Sequence, residues 1–395
     1  MVITKNSNNY IVSILFLFLI IISPFWGVAT FILLSFTKNN KERDTMQFFL
    51  ILSLSYFLAL IFYTANLGGD LMIYKELFLR STDISFIDFI KNQRKEIIYS
   101  VYSFLLNKLT NGAFNFYIGF TVFIMYFILF KSIINFSKKK LLNLNKVNIL
   151  IIFIAFFPPL FHLSGIIFRQ NLALFILFFG FSMLKKKPYK LTLISVIASL
   201  IHYIAFPIFL LSLIDTSFFK RKNVIKIIFS TYLIYNYGFI FLEFLSSFSE
   251  SFKYLFLRIA RDDIYKVVDS GSVEKMVIPV LFFLFQLIIS ITTYFKNKSF
   301  FSFLYIKYSV VFIFIYIVVD YNVLEYRLLL INYFFTPFVM IEFLMTFSNK
   351  IRNKIFSGLV ILLPVYIALF FLYISIRNEP NLYKDTFVLL TNPFF

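Results

Sequence analysis

Runs of about twenty apolar residues follow one another along almost the whole chain, broken by short polar or basic stretches. A helix that crosses a bilayer needs roughly 20 such residues. The pattern predicts twelve helices, over about 10–36, 46–64, 114–136, 147–161, 165–184, 188–202, 203–219, 224–245, 277–295, 302–319, 328–347 and 355–375. Pro158–Pro159 is expected to end the fourth, because proline cannot donate to the helix ladder and restricts the residue before it. Residues 188–214 read either as one span or as two that divide near His202. The split keeps the basic run 220–222 on the inner side, as the positive-inside tendency favours. The expected fold is an all-α polytopic membrane bundle of about twelve helices, forming a single domain over residues 1–395.

Two of the connecting stretches are long, 65–113 and 246–276, and each holds a segment with helical periodicity. In "EIIYSVYSFLLNKL" (96–109) Ile97, Val101, Leu105 and Leu109 fall on one face. In "FKYLFLRIARDDIYKVV" (252–268) Arg258, Arg261 and Tyr265 share a face. Amphipathic helices of this kind lie in the headgroup layer, so both loops are expected to carry interfacial helices over a membrane-facing site.

Composition agrees with the pattern: 60% of the residues are hydrophobic and 14% charged. The 60 Phe are the residue usage of an AT-rich coding sequence and carry no functional reading. The formal net charge of +19 raises the question of nucleic acid, and its distribution answers it. Of 38 Lys and Arg, 22 fall on the proposed inner segments, against only Glu42, Asp44, Asp215 and Glu342 among the 19 acids. The excess is topological, both termini face outward, and no nucleic-acid partner is expected. The chain has no Cys, which excludes disulfides and thiolate chemistry, and its two His are too few for a His-rich metal cage. "MVITKNSNNY" precedes an apolar run without a small-residue cleavage site, so a retained first helix is expected.

Against this background four polar clusters stand out. A charge at mid-span costs about 2.5–3.5 kcal/mol on translocon scales. Arg169 starts the helix "FRQNLALFILFFGFSML", followed by Gln170. It either snorkels to the interface or points into the bundle; Ala173, Ile176 and Gly180 on its face favour the bundle. His202 follows the small-residue stripe Ser195, Ala198, Ser199, and is either a packed histidine or a polar group at a cavity mouth. Asp320, Glu325 and Arg327 lie between two apolar runs, as an outer-loop ion pair or with Arg327 opening its helix inward. In "NLGGDLMIYKELF" (66–78), Asp70 and Tyr74 share a helical face, with Asp70 either a helix cap or a ligand-facing acid. All four clusters fall at the outer side.

The order of "GGDLMIYKELF", "EIIYSVYSFLLNKL", "FRQNLALFILFFGFSML", "IASLIHYIAFPIFLL" and "EYRLLLINYFF" resembles the EpsG/Wzy group of polytopic polysaccharide polymerases. Two departures stand against that pattern: "TANLGGD" has no Arg before its Gly-Asp, and "HYIA" replaces the usual small pair after the His. The resemblance implies an enzyme of the inner (cytoplasmic) membrane of a bacterium. It would join undecaprenyl-pyrophosphate-linked oligosaccharide repeat units on the outer leaflet, in O-antigen, capsule or exopolysaccharide synthesis. Its partners would be the lipid-linked oligosaccharide, membrane lipid and a chain-length regulator membrane protein, with no cofactor or metal.

The expected roles follow the chemistry. A departing pyrophosphate needs cations, and Arg169 and Arg327 offer bidentate donors. His202 suits proton transfer from the attacking hydroxyl. Asp70 and Glu96 are alternative acceptors or sugar binders. Tyr74 and Tyr265 are candidates for stacking on sugars, and Gln170, Arg258, Arg261 and Glu325 complete the candidate substrate-binding set. An O-antigen ligase shares the donor, and a flippase of lipid-linked glycan shares the architecture. The flippase reading predicts internal repeats and midplane polar groups, which the sequence does not display. An acyltransferase lacks an acid next to His202 in sequence.

Overall fold

The computed structural model describes residues 15–37, 43–64, 70–82, 84–92, 96–139, 142–183, 188–214, 244, 272–318 and 322–376. Among them the chain is all-helical, with no strand. The expected span 224–245, apart from Phe244, and the segment 252–268 with Arg258, Arg261 and Tyr265 lie outside the described residues.

The helices, after a helical stretch at 15–22, are α1 (Pro24–Thr37), α2 (Arg43–Thr64), α3 (Asp70–Arg80), α4 (Phe86–Asn92) and α5 (Ile97–Thr110). Then come α6 (Phe114–Lys139), α7 (Leu144–Ala155), α8 (Pro158–Ile166), α9 (Phe168–Ser182), α10 (Pro188–Ile201) and α11 (Ala205–Leu213). The last four are α12 (Ser272–Asn297), α13 (Phe300–Val318), α14 (Asn322–Leu344) and α15 (Asn349–Ile376). Among the described residues four stretches are long and apolar enough to cross a membrane, within α2, α6, α12 and α15. The pair α7 and α8, bent by 53°, makes a fifth if counted as one span. Shorter apolar helices, α9 and α10 among them, fall within five further expected segments without the length of a span, and the expected segment 203–219 holds only the short α11, so the described residues do not show twelve spans.

The breaks refine the sequence reading. α7 stops at Ala155, and Pro158 opens α8 from the first-turn position where a missing N–H costs nothing. The proline pair therefore starts a helix as well as following one. The helix expected from 165 starts at Phe168, because Ile167 leaves helical geometry (φ −111°, ψ 53°). The division at His202 is present, between α10 and α11.

The described chain forms two compact units, Met1–Pro207 with Phe347–Phe395, and Ile208–Thr346. In the first, α2 and α6 pack along their length, burying Leu54, Phe57, Leu58 and Ile61 with Ile118, Val122, Met125 and Leu129. Small residues set the close approaches. A Cβ on Gly119 of α6 would sit 3.2 Å from the Tyr63 side chain, and one on Gly165 of α8 would sit 2.8 Å from the Phe62 ring. Lys138 at the end of α6 meets Asp44 at the start of α2 at 3.1 Å, so these two ends lie together. Gln47 donates to Asn148 Oδ1 at 2.9 Å near the same end, satisfying two buried amides.

In the second unit α12, α13 and α14 pack on one another around polar links. Gln286 donates to the Asn332 carbonyl at 3.1 Å and accepts from Thr336 at 2.8 Å, and Tyr305 bonds Asn332 Oδ1. The buried Glu342 carboxylate accepts from the Phe301 and Ser302 amides at 3.1 and 2.7 Å, capping the start of α13. A carboxylate there meets the positive end of the helix dipole.

Candidate active site

α5 presents two different faces, one exposed and apolar, the other buried and largely polar. Its exposed side carries Ile97 (51% exposed), Leu105 (53%) and Leu109 (78%), the stripe expected to meet lipid. Its other side carries Tyr99, Ser100, Ser103 and Asn107, all buried against protein. The polar face fixes the neighbouring elements. Asn107 donates to the Phe78 carbonyl at 2.7 Å, closing the end of α3, and Ser103 bonds Tyr117 of α6 at 2.9 Å. Tyr117 also donates to the Tyr99 hydroxyl. α5 further packs on α10, which leads into His202.

At the head of α5 stands Glu96. Its backbone is left-handed (φ 57°, ψ 50°), a conformation costing a non-glycine residue about 1–2 kcal/mol. It caps no amide with its side chain; its carbonyl accepts from Ser100 N at 3.0 Å, starting the helix. The turn aims the carboxylate inward, where it is 8% exposed and meets Arg169 and His202. Oε2 accepts from Arg169 Nη1, and Oε1 lies 3.4 Å from His202 Nε2. A buried carboxylate in a membrane protein needs such partners, since unpaired it would be expelled or protonated.

Arg169 lies in the first turn of α9, where the helix dipole disfavours a cation and favours an anion. Its side chain points into the bundle, 30% exposed, with the guanidinium 4.8 Å from the Tyr74 ring centre and 5.5 Å from that of Tyr99. These are cation–π distances. Burial, followed by the neighbouring Tyr117 and Tyr74, pushes the Tyr99 phenol well above its usual range, against the pull of Arg169. The ring partner is therefore a neutral phenol. The small stripe behind Arg169 does pack: Ala173 is buried, and a Cβ on Gly180 would meet Ile194 of α10 at 3.0 Å. Gln170 Nε2 and both side-chain amide atoms of Asn171 are buried with no hydrogen-bond partner among the described residues. Buried polar atoms are usually paired, and these three lie on the helix that carries Arg169.

His202 ends α10, and its backbone and ring both organise the turn. Its N–H donates to the Ala198 carbonyl at 3.0 Å, and its Nδ1 accepts from Ile204 N at 3.2 Å. An Nδ1 that accepts places the proton of a neutral ring on Nε2, facing Glu96. The Tyr203 ring, 55% exposed, stacks on the imidazole at 4.5 Å.

Of the residues singled out in the sequence, the structure brings Arg169, His202, Glu96 and Tyr74 together, with Gln170 adjacent on α9. Asp70 opens α3, but its side chain is outside those described. Glu325 and Arg327 lie in α14, in the second unit, with their side chains also outside the description. Tyr99, Tyr117, Asn171 and Tyr203 were not anticipated. Among 25 Tyr, no spacing distinguishes a site tyrosine from a packing one. The acid that His202 lacks in sequence comes from Glu96, on another helix.

The cluster sits at the end of α6 that begins with Phe114, where Tyr117 meets Tyr99, and away from the Lys138–Asp44 end. A cation, a carboxylate and an imidazole thus converge under an amphipathic helix, flanked by aromatic rings. Such a set can hold a phosphate group and move a proton from a hydroxyl beside it. Comparison with known families gives a match over residues 46–387 to the EpsG family. No curated protein and no solved structure matches the chain.

Proposed function

Since the chain belongs to the EpsG family, and so is a multi-pass membrane protein of the polysaccharide-polymerase type, we propose that it joins oligosaccharide repeat units carried on undecaprenyl pyrophosphate. The reaction takes place at the outer leaflet of the bacterial inner membrane. The growing chain leaves its lipid pyrophosphate, and a sugar hydroxyl of the incoming unit takes its place on the anomeric carbon. The observation that carries this reading is the convergence of Arg169, Glu96 and His202 beneath α5, whose outer face is apolar.

Each residue answers a need of that reaction. Charge develops on the departing pyrophosphate, and Arg169 is a planar, permanently charged donor for phosphate oxygens. The attacking hydroxyl must lose a proton, and Glu96 with His202 supplies the acid–base pair. Tyr203, exposed and stacked on His202, offers a ring face to a sugar. Asp70, Gln170, Glu325 and Arg327, with Arg258, Arg261 and Tyr265, stand as further contacts to the glycan or its carrier.

The test is complementation of a strain lacking the gene, scored by the length ladder of its surface polysaccharide at matched protein levels. The null strain is expected to make single-unit glycan. Arg169→Ala is expected to lower ladder yield by about 10²-fold or more, the usual effect of removing a donor at a developing anion. Arg169→Lys keeps the charge and loses the planar fork, and is expected to restore only a minor part. A null strain without even single units would make the protein a ligase or flippase. Full ladders from every variant would remove Arg169 from the chemistry.

A further inference from the structure

The ion pair at the centre of the site poses a problem for the reading just given. Arg169 is the cation for the pyrophosphate, yet Glu96 already holds it. A carboxylate and a phosphate compete for one guanidinium, since both use the same in-plane donors. The geometry also constrains the proton acceptor. His202 Nδ1 is occupied by the Ile204 N–H, which leaves Nε2 as the protonated nitrogen facing Glu96. In this arrangement His202 is a donor toward Glu96, and the carboxylate is the member of the trio able to take a proton.

We infer that Glu96 is exchanged between two tasks: it neutralises Arg169 while the site is unloaded, and is released by the arriving lipid pyrophosphate to become the proton acceptor for the attacking hydroxyl, oriented by His202. The inference rests on the polymerase reading and assigns the roles within it. Two observations support it besides the shared guanidinium. Glu96 bridges its partners with different oxygens, so loss of Arg169 leaves the His202 contact in place. The left-handed backbone at Glu96 is strained, and such strain persists only where surrounding contacts hold it. Removing one contact lets the residue move at the head of α5.

The balance of the step is as follows. The hydroxyl O–H bond breaks and its proton passes to the Glu96 carboxylate. The acceptor oxygen forms its bond to the anomeric carbon, and the bond from that carbon to the pyrophosphate oxygen breaks. The electron pair leaves with the pyrophosphate, whose charge is held by Arg169. A carboxylate that has lost its guanidinium partner takes a proton more readily than one still paired. The exchange therefore couples donor arrival to release of the base that activates the acceptor.

The experiment measures inorganic pyrophosphate binding to the purified full-length protein in nanodiscs by calorimetry, beside ladder yield in complemented cells. Wild type binds, and Arg169→Ala loses binding. Glu96→Gln removes the competing anion and keeps the shape, so it is expected to bind roughly tenfold more tightly, within the usual range of coupling between sites. Its ladder yield is expected to fall by about 10²-fold or more, as for loss of a general base. Glu96→Asp recovers part of the yield, and His202→Gln leaves the pyrophosphate Kd within about twofold of wild type while lowering yield. Weaker binding by Glu96→Gln, parallel to Arg169→Ala, would make Glu96 a mere support for the arginine and overturn the exchange. Undiminished yield from Glu96→Gln would remove it as proton acceptor. No binding by wild type, or binding unchanged in Arg169→Ala, would instead sink the anion site of the proposed function, and the exchange with it.

Discussion

Glu96 combines two costs at one position, a left-handed backbone and a buried carboxylate. The two separate experimentally. Glu96→Ala and Glu96→Gly both delete the carboxylate, but only alanine keeps a Cβ in the left-handed turn. Glycine escapes the penalty of about 1–2 kcal/mol and gives back roughly 0.4–1 through its freer unfolded chain. The glycine variant is expected to melt above the alanine variant in a detergent-solubilised unfolding assay. The opposite order would mean that residue 96 is not left-handed in the working protein. The residues of this site were legible one at a time and illegible as a set. Arg169 and His202 announce themselves because polar groups are rare in apolar helices. Glu96 lies in a polar loop, where an acid is ordinary, and its pairing with Arg169 spans 73 residues of chain. Tyr74 was found through its neighbour Asp70. Tyr99 and Tyr117 were hidden by the abundance of aromatic residues around them.

At the scale of elements, periodicity located α5 and its exposed apolar stripe, and the small-residue rule located the packed face of α9. The break at Pro158–Pro159 was expected, although α7 already stops at Ala155, but periodicity did not locate the break at Ile167, inside the expected helix 165–184. Ile167 is an apolar residue in an apolar run, and tertiary packing bends the chain there without a local signal. Glycine substitutions test that packing. Gly165→Ala would put a methyl 2.8 Å from the buried Phe62 ring, so something in the α2–α8 contact must shift. Overpacking of this kind costs about 1–3 kcal/mol. Gly358→Ala in α15 meets nothing within 4 Å and removes a flexible residue from a helix interior, which is worth roughly 0.5–1 kcal/mol in the other direction. The first variant is expected to melt lower than wild type and the second at or above it. Equal shifts in both would mean that α8 does not press on α2 as described.

For the whole molecule, the sequence charge pattern and the structure agree on which ends belong together. Lys138 and Asp44 were both placed on the inner side by composition, and they meet at 3.1 Å. Lys108 lies on α5, at the other end of α6, and donates to the Thr82 carbonyl at 2.7 Å. The polymerase reading requires the α5 end to face outward, because the lipid-linked glycan is presented there. The absence of native cysteine makes this directly measurable. Single variants Lys108→Cys, Lys138→Cys and Arg352→Cys each carry one thiol at an exposed or partly exposed position. A membrane-impermeant maleimide applied to spheroplasts is expected to label Lys108→Cys at once, and the other two only after permeabilisation. Labelling depends on which side of the bilayer the residue occupies, so it does not require the activity to be known. The reverse pattern would place Arg169, Glu96 and His202 on the cytoplasmic side. A glycan-joining reaction at the outer leaflet would then have no site in this protein, and the charge asymmetry would be serving another partner.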